Sequence, residues 1–256
     1  MRLPPITPEL PAVNRPFSRS IHAPRAPGSY AAFRLFYGEE PPTLSIKDQV
    51  AVAVAERIVD GRFAPGERIP EQLISDEFNV SKAPVSEALM LLEYAGLVES
   101  AARRSAYVPP MSVQDFEDLA EYRSALLGVS LARYFDLHKP ADHEVMRAYM
   151  LELDAIADDD QRAFEFVELA DRGALYLLVR GGNRRVTRAV FALSLQTLRY
   201  FRLGGHGVKQ RRALLALWRR ASKALEARDR KNYLAACEAT QQMRNAETLA
   251  ALRATL

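Results

Sequence analysis

Val80-Ser81-Lys82-Ala83-Pro84-Val85-Ser86-Glu87-Ala88-Leu89-Met90-Leu91-Leu92-Glu93-Tyr94-Ala95-Gly96 is the stretch whose reading decides the fold. Ser81 stands where a helix N-cap belongs, and Pro84 is tolerated inside a first turn. Val85, Leu89 and Leu92 recur on one face, and Gly96 supplies the stop, so the spacing predicts a helix from Lys82 to Ala95. Immediately upstream, a short helix is expected from Glu71 to Phe78 with a break at Asn79, preceded by the turn signal Phe63-Ala64-Pro65-Gly66. Farther upstream, Ser45-Ile46-Lys47-Asp48 has the form of a capping box. Ile46, Val50, Val54 and Ile58 then recur every four residues until Gly61. Downstream, Leu97 to Ser100, Arg103-Arg104-Ser105 and Ala106 to Val108 read as strand, tight basic turn and strand, closed by Pro109-Pro110. Helix, helix, helix, hairpin is the order of a winged helix-turn-helix, here residues 44–110.

Everything from residue 111 to 256 reads as helix. Ser112-Val113-Gln114-Asp115 repeats the capping box, and Phe116, Leu119, Leu126 and Leu127 form a stripe on a helix reaching about Phe135. Five more helices are expected at about 140–157, 159–180, 183–203, 208–228 and 231–254. Lys139-Pro140, Asp158 to Asp160, Gly181-Gly182 and Gly204-Gly205 separate them. The fold class is therefore mainly α: an N-terminal winged helix-turn-helix with a small hairpin wing, followed by a six-helix antiparallel bundle.

Composition fits two packed domains, with 256 residues of which 48% are hydrophobic. Residues 1–43 do not join them. Nine of the 15 prolines fall in residues 1–42, which reads as a disordered Pro-rich tail, with a basic arm along a nucleic-acid backbone as the functional alternative. No apolar run approaches a membrane span and the first 30 residues lack a secretory core, so the expectation is a cytoplasmic protein with no membrane partner. One cysteine and four histidines exclude a disulfide framework and a zinc cluster. The His138/His143 pair is expected at the surface. The formal net charge of +3 carries little, because residues 44–110 hold seven Lys/Arg against ten Asp/Glu. The bundle is charge-segregated: residues 115–171 hold fifteen acids against five bases, and 180–231 hold fifteen bases against two acids. These halves complement each other across the bundle or between subunits, or the basic half lines a pocket for an anion.

Asp60-Gly61-Arg62-Phe63-Ala64-Pro65-Gly66-Glu67-Arg68-Ile69-Pro70-Glu71, Val80 to Leu89, and Leu92-Glu93-Tyr94-Ala95-Gly96-Leu97-Val98 together resemble the GntR family of regulators. The family's usual form is G-x-(L/F)-x-P-G-E-R-L-x-E, V-S-R-T-P-V-R-E-A-L and L-E-x-x-G-L-V. The six-helix pattern resembles the FCD effector domain of its FadR-like subfamily. Geometry independently presents Ser81, Lys82, Ala83 and Ser86 on the first turns of the 82–95 helix toward base edges and phosphates, with Arg103 and Arg104 at the wing tip. Arg68 and Gln72 complete the candidate DNA-binding set. This chain has Lys82 and Ser86 where relatives commonly carry arginines, and Gln72 where some relatives also place one. Bidentate Arg-guanine pairing is lost there, and an operator different from the family's guanine-rich half-site is expected.

The resemblance also implies a metal held by an Asp, a His four residues on, and two further His. Registering the motif on Asp171 puts Leu175 at the first His position; shifting by one puts Ala170 and Ala174 there. The last pair falls on Trp218 and Thr240. None of these ligates zinc or nickel, so no cofactor and a metal-free pocket are expected, with Trp218 in the volume a metal would need. Arg123 sits on the apolar stripe of its helix, matching an arginine common in the family. Its partner is either Asp171 or a ligand carboxylate. Tyr200, Trp218 and Thr240 fall on inward stripes, completing the candidate effector set of Arg123, Asp171, Tyr200, Trp218 and Thr240.

The resulting expectation is a sequence-specific DNA-binding transcription regulator and not an enzyme. It would be a homodimeric repressor on a palindromic operator, answering to a small-molecule effector such as a carboxylate or other anion. A ligand-independent DNA-binding architectural protein is the alternative. An enzyme on a helical bundle is disfavoured, since Gly-x-Ser-x-Gly, a phosphate-cradling Gly loop and His-Glu-x-x-His are all missing from the sequence.

Overall fold

A computed structural model of the protein describes residues 45–101, 105–204 and 207–256. The tail reading for 1–43 and the wing residues Arg103 and Arg104 lie outside the described residues. Helix α1 (Ile46–Val59) leads into α2 (Glu71–Phe78) and α3 (Lys82–Tyr94), then a two-stranded antiparallel ribbon of β1 (Glu99–Ala101) and β2 (Ser105–Tyr107). The bundle follows as α4 (Val113–Leu137), α5 (Pro140–Ile156), α6 (Ala163–Arg180), α7 (Arg184–Phe201), α8 (Val208–Glu226) and α9 (Arg230–Thr255), with a 3-10 turn at Asp160–Arg162. The ribbon register pairs Glu99 with Tyr107 and Ala101 with Ser105.

Local chemistry accounts for the boundaries. Ser45 and Asp48 complete the capping box of α1, the serine hydroxyl accepting from Asp48 N and the carboxylate accepting from Ser45 N. Asn79 ends α2 in the left-handed region at φ 50°, a conformation its short amide side chain tolerates. Gly96, at φ +69°, ends α3 in the same region. One segment read as a turn does more than turn. Gly66 N donates to Val108 O, Val108 N to Glu67 O and Ile69 N to Ala106 O, so residues 66–69 lie along β2 as an extra edge.

The α1 stripe departs from its four-residue spacing. Ile46 is 53% exposed, whereas Ala51, Val52, Ala53, Ala55 and Val59 are buried along with Val50, Val54 and Ile58. The reason is packing on two sides: α3 covers one face of α1 and α7 of the bundle covers another. A single apolar core runs through both domains, joining Val54, Ile74, Leu92 and Val108 to Phe116, Leu195 and Leu198.

The charge segregation is resolved within the chain. Arg180 donates to Asp142, Arg212 pairs with both Asp154 and Asp158, Arg211 with Asp160, and Arg230 with Asp136. These pairs join part of the basic second half to the acidic first half across the bundle. The surface placement of the His pair is corrected: His138 is buried, with Nδ1 2.7 Å from Phe135 O, and His143 is half-buried with its ring edge-on to His138 at 5.1 Å.

Candidate nucleic-acid interface and effector cavity

Helices α2 and α3 form the helix-turn-helix, pinned by Ile74 of α2 and by Val85, Leu89 and Leu92 of α3 in the shared core. With that face buried, Ser81, Lys82, Ala83 and Ser86 are all exposed on the first turns of α3. Ser81 has the backbone of an N-cap, φ −68° and ψ 168°, yet its hydroxyl makes no capping bond, and no acidic residue sits in the first turn. The free N–H groups and the positive dipole end of α3 therefore stay available to an external anion such as a phosphate. At the other N-termini carrying serine, Ser45 and Ser112, the hydroxyl is taken up by the helix itself.

The remaining candidate contacts flank this turn. Arg68 is exposed just before α2, its backbone bridged to Tyr107. Gln72 is exposed on α2 and donates to Asp76 Oδ1 at 2.8 Å, a bond it must release before it can read a base. Glu87, the carboxylate closest in sequence to Ser86, lies 3.6 Å from Lys47, which offsets its repulsion toward a polyanion. The outward face of α3 continues into Met90 and Tyr94, 65% and 88% exposed. Sequence reasoning missed this apolar extension because it followed only the buried face of the helix.

The bundle encloses a cavity of about 80 Å³ whose wall includes Arg123, Trp218 and Thr240. Three of the five candidate effector residues thus meet there. Arg123 is buried, and its Nη2 donates to Asp171 Oδ1 at 2.7 Å, so the acidic partner left open in the sequence is present within the chain. Burial holds the Arg123 guanidinium below its usual range, a penalty Asp171 partly offsets. Thr240 Oγ1 donates to Ala236 O at 2.9 Å, leaving only lone pairs for a ligand. Trp218 lies against Gly173, where a Cβ would stand 2.5 Å from the ring, so only glycine permits this approach.

Tyr200 does not line this cavity and lies at the junction with the wing. Its hydroxyl donates to Asp115 and accepts from Ser112 N at 3.4 Å, and its ring lies 5.0 Å from Phe116. It takes over the half of the Ser112 capping box that the Asp115 carboxylate would otherwise complete. Burial and the Asp115 carboxylate raise its pKa to about 12, keeping the phenol a donor. Tyr200 therefore locks the junction between wing and bundle. Its stripe position was right for burial, but which end of the bundle it faces depends on how α7 crosses α4.

Arg244 is the cavity residue that sequence reading overlooked. It lies one turn after Thr240 and two after Cys237 on the same inward face, a spacing that contained the signal. Its guanidinium stacks 4.0 Å from the Phe201 ring centroid, and Nη1 lies 3.7 Å from Asp171 Oδ1. Burial beside Arg123 pushes its pKa down to about 10, against the pull of Asp171.

The metal that the resemblance implies does not fit these residues. Trp218, Thr240 and Ala174 line the cavity and Leu175 is buried nearby, none offering an imidazole. Among the described residues no three His, Cys, Asp or Glu side chains converge as a ligand set.

Comparison with known proteins bears on the N-terminal half of this architecture. Residues 46–108 match the family model of bacterial regulatory proteins, gntR family. The chain is 44% identical over 69 residues to the HTH-type transcriptional regulator BphR of Paraburkholderia xenovorans, covering 27% of this chain and 28% of that protein. It is 32% identical over 85 residues to the HTH-type transcriptional repressor RspR of Escherichia coli K12, covering 33% of this chain and 37% of that protein. The chain thus spans only 28% to 37% of the length of these curated relatives. The solved structure of a transcriptional regulator GntR from Rhodococcus sp. RHA1 superposes with a TM-score of 0.67 at 18% identity, over 81% of this chain and 99% of that one, a likeness of fold. No helix among the described residues is long and apolar enough to cross a membrane. Residues 46–108 are thus similar to the DNA-reading domain of the gntR family of bacterial regulatory proteins.

Proposed function

We propose that the protein is a transcription repressor that binds a palindromic operator as a homodimer and answers to a small molecule held, without metal, in the bundle cavity. One observation carries this reading: α7 is at once a wall of the DNA-reading domain and a wall of the cavity. Toward the reading domain, Leu195 and Leu198 enter the core of α1 and α3, and Gln196 Nε2 donates to Ala95 O at 2.7 Å. Arg199 donates to Pro109 O at 2.9 Å, and Arg202, just past the helix, reaches Asp60 Oδ1 at 3.2 Å. Toward the cavity, Phe201 lines the wall beside Arg123 and Arg244. A ligand that prefers one position of Phe201 therefore biases the placement of the reading heads, which is what coupling between two sites requires.

Contact chemistry sets the operator. Lys82, Ser81 and Ser86 supply phosphate or single base contacts, and Gln72 suits adenine better than guanine, so the preferred half-site differs from a guanine-rich one. Selection from a random duplex pool, followed by fluorescence anisotropy on the recovered site, tests both points. The expected result is a two-fold symmetric site bound with a steep salt dependence. Absence of preference for any duplex over random competitor would remove the regulator reading, and recovery of the family's common site would remove the operator reading. Unchanged duplex affinity across a ligand library that shifts the melting temperature would favour a DNA-binding protein without effector control.

A further inference from the structure

The cluster on the cavity wall carries more positive than negative charge. Asp171 offers one carboxylate to two guanidiniums, 2.7 Å from Arg123 and 3.7 Å from Arg244. The shorter contact is a charge-assisted hydrogen bond, and the longer one is an ion pair beyond ordinary hydrogen-bond distance. Arg244 Nη2 is buried with no hydrogen-bond partner among the described residues. Glu247, further along α9, acts on Arg244 only through space, and its own pKa is raised by burial. Both guanidiniums also face the Phe201 ring, which interacts with positive charge but cannot cancel it. A buried charge left unpaired is expensive, and proteins keep such groups where a ligand completes them.

The rest of the wall defines the partner. A second donor on the cavity, the Tyr134 hydroxyl, is buried and has no partner among the described residues. Burial raises its pKa well above the usual range, so it remains a neutral donor. Leu127, Met146, Leu177, Trp218 and Leu225 form the apolar part of the lining, with Ser222, Thr240, Gln241 and Asn245 as its neutral polar part. The surface groove between α4 and α9 adjoins the cavity, sharing Leu131, Cys237, Gln241 and Asn245 with its wall.

We infer that the cavity takes a monocarboxylate with a compact apolar body, its carboxylate seated on Arg244 and its body against Trp218 and the leucines. This rests on the effector-responsive reading above and names the ligand class for that site. One surplus guanidinium calls for one negative charge, and a planar guanidinium matches a planar carboxylate through two parallel hydrogen bonds. Arg123 stays with Asp171 as the positioning pair that holds this wall. A dianion would leave a buried negative charge uncompensated, and a neutral ligand would bring no negative charge to Arg244 beyond the 3.7 Å contact with Asp171.

Trp218 is the single tryptophan of the chain, so its emission reports directly on the cavity. Benzoate and its neutral match benzamide are titrated against the full-length protein and its Arg244→Gln variant, with circular dichroism as the folding control. The expected result is saturable quenching or shift with benzoate, a preference over benzamide of about tenfold or more, equivalent to about 1.4 kcal/mol, and loss of that preference in Arg244→Gln. Three results would overturn the inference: equal affinity for benzoate and benzamide in the wild type, a preference that survives in Arg244→Gln, or no saturable response to benzoate. The wild-type comparison stands even if the variant fails to fold. Because no DNA is present, Arg244-dependent benzoate binding that leaves duplex affinity unchanged would sink effector control and keep the anion site. Intact duplex selectivity without benzoate preference would sink the anion site alone.

Discussion

Replacing Asp171 by Asn keeps the shape of the side chain and removes the carboxylate that lies 2.7 Å from Arg123. Both side chains are nearly fully buried, 6% and 7% exposed, so the pair is little screened by solvent. Deleting one partner of a buried ion pair leaves an uncompensated charge and costs about 3–5 kcal/mol. The presence of Arg244 places the effect at the upper end, because two guanidiniums then face each other without an intervening anion. For a domain of this size about 1 kcal/mol moves Tm by roughly 2–4 °C, so the midpoint of the bundle should fall by roughly 6–20 °C. Thermal unfolding is followed by Trp218 emission, which reports from the cavity wall beside this pair. In the double variant Arg123→Met/Asp171→Asn the loss should be smaller than the sum of the two single losses, since the orphaned charge is removed together with its partner. A loss below about 1 kcal/mol in Asp171→Asn would be the magnitude of an exposed pair and would refute the buried-pair argument.

Other outcomes follow from particular contacts. Glu168 is buried at the face of α6 toward Asp60 and Arg202, and burial, reinforced by Asp60 and Glu165 against Arg172 and Arg202, raises its pKa to about 7. A carboxyl raised above its ordinary 4.5 favours the folded state while protonated, so its contribution is full below pH 4.5 and is lost as pH rises through 7. At about 1.4 kcal/mol per pH unit the difference between wild type and Glu168→Gln should change by roughly 3 kcal/mol across that window, measured as Tm against pH. A pH-independent difference would refute it. Gly96→Ala should cost about 1–2 kcal/mol from the left-handed backbone, and more because its Cβ would stand 2.5 Å from Gln196 Nε2, which donates to Ala95 O. Chemical denaturation measures this, and a neutral result would deny the close approach of α7. Ser112→Ala should lose about 1 kcal/mol of stability, whereas Ser81→Ala should be neutral within about 0.5 kcal/mol and weaken duplex binding. Lys82→Ala should reduce the salt slope of binding by about 1 per protomer; an unchanged slope would remove Lys82 from the phosphate contacts.

Order and type of the elements were legible because their signals are local. Ser45 with Asp48, Asn79, Gly96, Ser112 and Asn183 each end or start a helix through bonds made within a few residues. Legibility failed where a residue's neighbour is set by another helix. Ile46 repeats with the buried residues of α1 but faces out, while the alanines between them are buried, because α7 covers the second side of that helix. Tyr200 and Phe201 are adjacent in sequence, yet one bonds to Asp115 and Ser112 at the junction and the other lines the cavity. Periodicity reports that a face is apolar and is silent on which surface will cover it.

By itself, then, the chain sequence determined a helix-turn-helix with an exposed amino end on its second helix, a hairpin after it, and a helical bundle lacking imidazoles at the metal positions that the resemblance implies. Those features depend on capping, turn and side-chain chemistry acting over short spans. Only the tertiary structure decided that Asp171 hydrogen-bonds Arg123 and stands 3.7 Å from Arg244, whose Nη2 has no hydrogen-bond partner among the described residues, and that α7 joins the cavity to the reading head. Both follow from the crossing of helices distant in sequence, which fixes how many charges of each sign are withdrawn from water at one place.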